Sequence, residues 1–196
     1  MMVMPYKEIL SSLAILLTFA AFYLYIRPVM KGKTRPHVFS WIIWGSTTFV
    51  IFLAQLADKG GAGAWPIGVS GIISIYIAIL AFYKKADNSI TSLDWIFLIT
   101  AVLGMLLWYF TSDPLWTVLI LTSIDVIGFG PTMRKAYHHP HEEHLTFFIL
   151  MAIRNLTALL ALEHYSLTTM SFPAATGLAC LVFIIMVVYR RKIILA

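Results

Sequence analysis

Arg154 and Asn155 stand side by side in the middle of an apolar run, Leu145 to Leu162, and are the residues of this chain best equipped for chemistry. A guanidinium at bilayer depth costs about 2.5–3.5 kcal/mol on insertion scales, so by default it faces a partner or a wet cavity and marks a functional site. The preceding run, Leu115 to Gly130, is interrupted by Thr122, Ser123 and Asp125. Asp125 is therefore expected to face Arg154 across a helix interface, as a structural ion pair or as half of a binding site. In the second case Arg154 attracts an anionic or carbonyl-bearing group and Asp125 balances it. Asn155, Thr157 and Thr122 then supply hydrogen bonds, and Trp44 a ring on which a planar or sugar-like ligand stacks.

Other residues carry weaker chemistry. His138, His139, His141, Glu142, Glu143 and His144 surround Pro140, and imidazoles with carboxylates suit zinc. The spacing is not H-E-x-x-H, however, and such a cluster at a membrane surface is ordinarily a solvated rim, so no metal is expected there. Gly60-Gly61-Ala62-Gly63 is a turn far from any strand that would make it a phosphate loop. With no nucleophile–base pair and no dinucleotide fingerprint, the chain is read as a non-enzyme without a cofactor. An integral-membrane enzyme using the His-Glu segment is the reading that a bound metal would favour.

The elements that must position these residues are helices in a bilayer. Hydrophobic residues make up 60% of the 196, and charged residues only 12%, against about 25% in an average soluble domain. Mean hydropathy is +0.86. Seven apolar runs follow one another: 8–27, 38–57, 65–83, 94–110, 115–130, 145–162 and 168–189. Each approaches the ~20 residues a helix needs to cross ~30 Å of hydrocarbon. The runs are continuously apolar and do not alternate, so helices are preferred to barrel strands. The lone Cys180 lies inside a run, so no disulfide framework exists.

The net charge of +5 is a topology signal, not a nucleic-acid footprint. Arg27, Lys31, Lys33, Arg35, Lys84, Lys85, Arg134, Lys135, Arg190, Arg191 and Lys192 fall on one side of the seven crossings, and only Lys7 and Lys59 on the other. The positive-inside rule puts the N-terminus outside and the C-terminus in the cytoplasm. Short connectors suit a plasma membrane. The expected partners are the lipid bilayer and a small-molecule substrate, with homo-oligomerisation left open.

Internal similarity divides the chain. Arg27-Pro28-Val29-Met30-Lys31 recurs as Gly130-Pro131-Thr132-Met133-Arg134, and Arg35-Pro36-His37 as His139-Pro140-His141. Trp65-Pro66 recurs as Phe172-Pro173, and Tyr83-Lys84-Lys85 as Tyr189-Arg190-Arg191, all at offsets of 103 to 107. Two three-helix units, 1–92 and 113–196, are thus separated by one unpaired helix in 93–112. A three-helix unit crosses an odd number of times, so the extra crossing restores a parallel orientation, and sites in such proteins lie at the repeat interface near the midplane.

Three helices, one linker and three helices, with the N-terminus outside, resembles the SWEET and PQ-loop superfamily, with the PnuC vitamin transporters similar in architecture. The resemblance implies a transporter for a small polar metabolite that is sugar-, vitamin- or organic-acid-like. It also implies that Pro28, Pro36, Pro131 and Pro140 act as hinges for alternating access. The PQ dipeptide itself is absent, since Val29 follows Pro28 and Thr132 follows Pro131. Proline removes a backbone donor and disfavours helix before it, so the same four residues also read as plain helix stops. A ligand-binding receptor or sensor is the alternative, because the KDEL receptor resembles the same three-one-three architecture. The fold expected is an all-α integral membrane protein of seven transmembrane helices.

Overall fold

The computed structural model describes residues 5–32, 36, 38–84, 92–142 and 145–194, and among them every regular element is helical. Helix α1 spans Pro5–Met30, α2 Val38–Ala57, α3 Trp65–Tyr83, α4 Ser92–Thr111, α5 Pro114–Gly128, α6 Gly130–His138, α7 Leu145–Ala161 and α8 Leu167–Ile193. Local chemistry explains most boundaries. After α1, Gly32 takes φ +68°, the left-handed stop that glycine reaches without penalty. Asp113 caps α5 by accepting the Leu115 N–H at 2.9 Å, and Pro114 supplies a first residue whose missing donor costs nothing. A capping box opens α8: Ser166 Oγ accepts from the Thr169 N–H at 3.1 Å, and Thr169 Oγ1 from the Ser166 N–H at 3.0 Å.

One expected connector is a helix. Residues 130–144 connect the apolar runs 115–130 and 145–162, yet α6 occupies Gly130–His138. Proline in the first turn of a helix is pre-organised rather than disruptive, and Met133, Arg134, Lys135 and Ala136 are good helix formers. The break falls earlier, at Phe129 between α5 and α6, so the two form one interrupted rod. Among the described residues five segments are long and apolar enough to cross a membrane: Tyr6–Met30, Val38–Ala57, Gly61–Tyr83, Pro114–His138 and Leu167–Ile193. Leu98–Thr111 and Leu145–Ala161 are shorter apolar helices. At ~1.5 Å per residue, α7 is only about 25 Å long.

Packing follows a pattern. α3 lies between α1 and α2, and α8 lies between α5 and α7. Across the middle of the bundle α1 packs on α7, and α2 packs on α5, while α4 lies against α5 and α2. The small-residue stripe of α3, Gly71, Ser74, Ala78 and Ala81, is buried. A Cβ on Gly71 would lie 2.9 Å from the Phe49 backbone nitrogen of α2, so these helices touch backbone to backbone. Between α2 and α5 the core is Ile51, Phe52, Ala54, Val118, Leu121 and Ile124.

The tryptophans divide. Trp65, Trp95 and Trp116 are exposed near helix ends, as expected of a belt. Trp41, although in the first turn of α2, is buried against Phe22 and Tyr25 of α1, and Trp108 packs on the α2–α5 core. Lys33, Arg35 and Lys85, used above for orientation, lie outside the described residues.

Candidate ligand site at the helix crossings

Arg154 is the largest fully buried side chain of the described residues, at 1% exposure, and its guanidinium ties α7 to the first half of the chain. Nε donates to Thr18 Oγ1 of α1 at 3.1 Å. Nη2 donates to the Pro66 carbonyl in the first turn of α3 at 2.6 Å, and also to Ser70 Oγ one turn deeper. Nη1 donates to Asn155 Oδ1 at 2.7 Å. All four acceptors are uncharged.

Asp125 is not among them. The expected Asp125–Arg154 ion pair is absent from this arrangement: Asp125 is half-buried at the α2–α5 crossing, where its Oδ1, at 3.2 Å, shares the Thr47 hydroxyl proton with the Trp44 carbonyl, at 3.1 Å. The reason lies in the packing order, which interposes α8 between α5 and α7 and turns α5 toward α2. Trp44 belongs to the same crossing. A Cβ on Gly128 of α5 would lie 3.1 Å from Trp44 Nε1, so the indole sits against the turn that follows Asp125 and is not beside Arg154. The six expected ligand residues are therefore distributed over two crossings, with Arg154 and Asn155 on one, and Asp125 and Trp44 on the other.

Buried polar atoms without partners identify where the interior is incompletely satisfied. Asn155 Nδ2, Thr122 Oγ1 and Gln55 Oε1 have no hydrogen-bond partner, although Gln55 Nε2 donates to the Thr169 carbonyl at 2.8 Å. Such atoms are rare because each costs about 1–3 kcal/mol. Thr157 is different. Its hydroxyl donates to the Ile153 carbonyl of its own helix at 2.8 Å and has no need of a ligand.

Polar contacts stitch the two halves together at the end of the bundle holding the 58–64 and 162–166 loops. Lys7 Nζ donates to the Leu162 carbonyl, and the Ala62 N–H donates to Glu163 Oε1 at 3.1 Å. Glu163 N–H donates to the Gly60 carbonyl at 3.1 Å. Asp58 accepts from Ser166 Oγ, and its Oδ2 lies 3.6 Å from His164 Nδ1. An open groove of about 440 Å³ adjoins these contacts, lined by Glu8, Ser11, Ser12, Ile15, Trp65 and Glu163.

The opposite, basic end is closed by rings. Trp44 meets Trp41 at 5.7 Å between centroids, Trp41 meets Tyr25 at 4.9 Å, and Tyr25 meets Phe147 of α7 at 6.4 Å. Phe147 continues to Phe148 at 5.3 Å, then to Phe183 of α8 at 4.0 Å and to Phe129 at 5.3 Å. Phe129 follows Gly128, against which Trp44 rests, so the chain of rings returns to its start. Polar contacts at this end include Lys84 Nζ to the Met30 carbonyl, Arg190 Nε to the Tyr137 carbonyl and Arg191 Nε to the Pro140 carbonyl. Arg154 and Asn155 are thus closed off from both ends.

The four prolines take different settings. Pro28 lies inside α1, which runs on to Met30, whereas Pro131 follows the break at Phe129. Pro36 is buried just before α2, and Pro140 is buried in a 3-10 turn, Pro140–Glu142. In the histidine segment, His141 Nε2 lies 2.9 Å from the Ile194 carbonyl, and Glu143 and His144 lie outside the described residues. Thr18, Ser70 and the Pro66 carbonyl were not picked out from sequence. The signal available for the first two was a hydroxyl within an apolar run.

Comparison of the chain with protein-family models, with curated proteins and with solved structures gives no match in any of the three.

Proposed function

We propose that this chain is a plasma-membrane transporter that moves a small polar metabolite by alternating access between two parallel three-helix units, α1–α3 and α5–α8, with α4 as the linker. The observation that carries the reading is the matched packing of the two halves. In each, the third helix lies between the first and second, and each first helix crosses the second helix of the other half. Parallel repeats related by a two-fold axis along the bundle would pack in this way, with their sites at the interface. Both crossings pair a hydroxyl from the first half with a charge from the second: Thr18 with Arg154, and Thr47 with Asp125.

Closure at both ends fits an occluded state of the cycle, polar stitches outside and rings at the cytoplasmic end. Opening outward breaks the Lys7, Glu163 and Asp58 contacts, while opening inward separates Phe147 from Phe22 and Tyr25. Pro28, Pro36, Pro131 and Pro140 all lie at the cytoplasmic end and would take up the bending there. The N-terminus is outside in this scheme, as the basic residues require. Counterflow into proteoliposomes tests the reading with a panel of sugars, nucleosides, vitamins and organic acids. Accumulation of one class supports it. A solute that binds without crossing would make the chain a sensor of the same architecture.

A further inference from the structure

We propose that the solute handled at Arg154 is a small carboxylate, held between the guanidinium and the side-chain amide of Asn155; this rests on the transporter reading above for its access route, though not for its binding chemistry. A guanidinium has five N–H donors. Thr18, Pro66, Ser70 and Asn155 take four of them, leaving one on Nη1. Because Asn155 Oδ1 accepts from Nη1, the orientation of that amide is fixed: exchanging its oxygen and nitrogen would set donors against donors. Its Nδ2 is therefore left, buried at 1% exposure, with two donors and no acceptor.

The free groups beside each other on α7 are consequently all donors, and the charge next to them is positive and matched by no anion among the described residues. Asp125, the residue expected to neutralise it, is held at the other crossing by Thr47. A purely structural arginine cluster accounts for the four neutral acceptors but not for the unpartnered amide. A ligand that completes the site must be acceptor-only, carry negative charge and offer two oxygens to adjacent donors. Carboxylates meet all three conditions, and planar guanidinium donors match their geometry. A sugar hydroxyl brings donors of its own and leaves the charge unmatched.

The test uses the detergent-purified full chain and reads its melting temperature with acetate, L-lactate and succinate. Each is run beside its amide and beside sodium chloride at equal ionic strength. At least one carboxylate is expected to raise the melting temperature by a few degrees in a saturable way, while the amides and chloride do not. Asn155→Asp removes the two free donors and gives Arg154 an internal carboxylate. That variant is expected to melt at or above the wild-type temperature without ligand, and to bind the carboxylate about tenfold or more weakly. Equal responses to acid and amide, a response to chloride alone, or an unaltered carboxylate response in Asn155→Asp would each overturn the proposal. Flux of a neutral solute with no carboxylate response would sink the carboxylate while leaving transport standing. Carboxylate binding without flux would do the reverse.

Discussion

Thr47 on α2 shares its single hydroxyl proton between Asp125 Oδ1 on α5, at 3.2 Å, and the Trp44 carbonyl of its own helix, at 3.1 Å, and it is the one side-chain hydrogen-bond partner of that carboxylate among the described residues. The acid and the arginine that sequence pairs most readily thus serve different crossings of the bundle. Each holds the two halves together through a neutral partner. Neutral contacts are easier to exchange for water or ligand than a closed ion pair, which suits an interface that has to open.

Removing the hydroxyl of Thr47 should therefore be felt. Thr47→Val is expected to destabilise the protein by about 1–2 kcal/mol, because it strands a carboxylate in a half-buried position. Asp125→Asn keeps an acceptor for Thr47 and should cost less. Thermal unfolding of the two variants in the same detergent gives the ranking. Equal losses would mean that the bond contributes little.

Arg154→Lys should not rescue Arg154→Gln. The guanidinium reaches Thr18, Ser70, Pro66 and Asn155 on three helices with a rigid fork, while an ammonium has three donors on one atom. Both variants are expected to lose at least about 2 kcal/mol of stability together with solute binding. A fully active Arg154→Lys would reduce the site to a point charge.

The helix framework was largely legible in the sequence, and the side-chain partnerships were not. α2 and α3 begin and end where their apolar runs do, since the flanking Pro36, the Lys59–Gly61 turn and Pro66 punctuate them locally. α6 is not marked by hydropathy, because GPTMRKAYH is polar and lies between two apolar runs, although proline at the second helical position is a starter. Partner choice depends on which helix separates which. That α8 intervenes between α5 and α7 cannot be read from spacing within either, so Arg154 was matched to Asp125 on chemistry alone. Thr18 and Ser70 carry no periodic or compositional mark, and Trp41 shares its first-turn position with true belt residues while facing inward.

Close backbone contact between α2 and α3 makes Gly71 intolerant. A Cβ there falls 2.9 Å from the Phe49 nitrogen, which belongs to backbone and cannot rotate away. Gly71→Leu is expected to cost roughly 1–3 kcal/mol or to prevent accumulation of folded protein. Gly130, with no atom within 4 Å of its ideal Cβ, is the matched control, and Gly130→Ala should be nearly neutral. Size-exclusion profiles and melting temperatures of the pair decide it.

Locking the outer end should stop turnover. Ser11 Oγ of α1 donates to the Ala62 carbonyl at 2.6 Å, so the paired changes Ser11→Cys and Ala62→Cys bring two thiols close together. Pairing Glu163→Cys with Ala62→Cys does the same across the two halves, where Glu163 meets the Ala62 N–H at 3.1 Å. Cys180 is the only native cysteine, and Cys180→Ser gives a clean background. Cross-linking Ala62→Cys to Glu163→Cys is expected to abolish flux reversibly, whereas the Ser11→Cys bridge, internal to the first half, should leave most of it. Equal inhibition by both would show that the halves do not part at this end.

The most direct measurement is counterflow into proteoliposomes, comparing the wild-type chain with Arg154→Gln at equal amounts of folded protein. A solute that stabilises the purified wild-type protein is expected to accumulate in wild-type vesicles and not in Arg154→Gln vesicles. A solute that stabilises the protein but never crosses the bilayer, or flux that is indifferent to Arg154, would contradict this expectation.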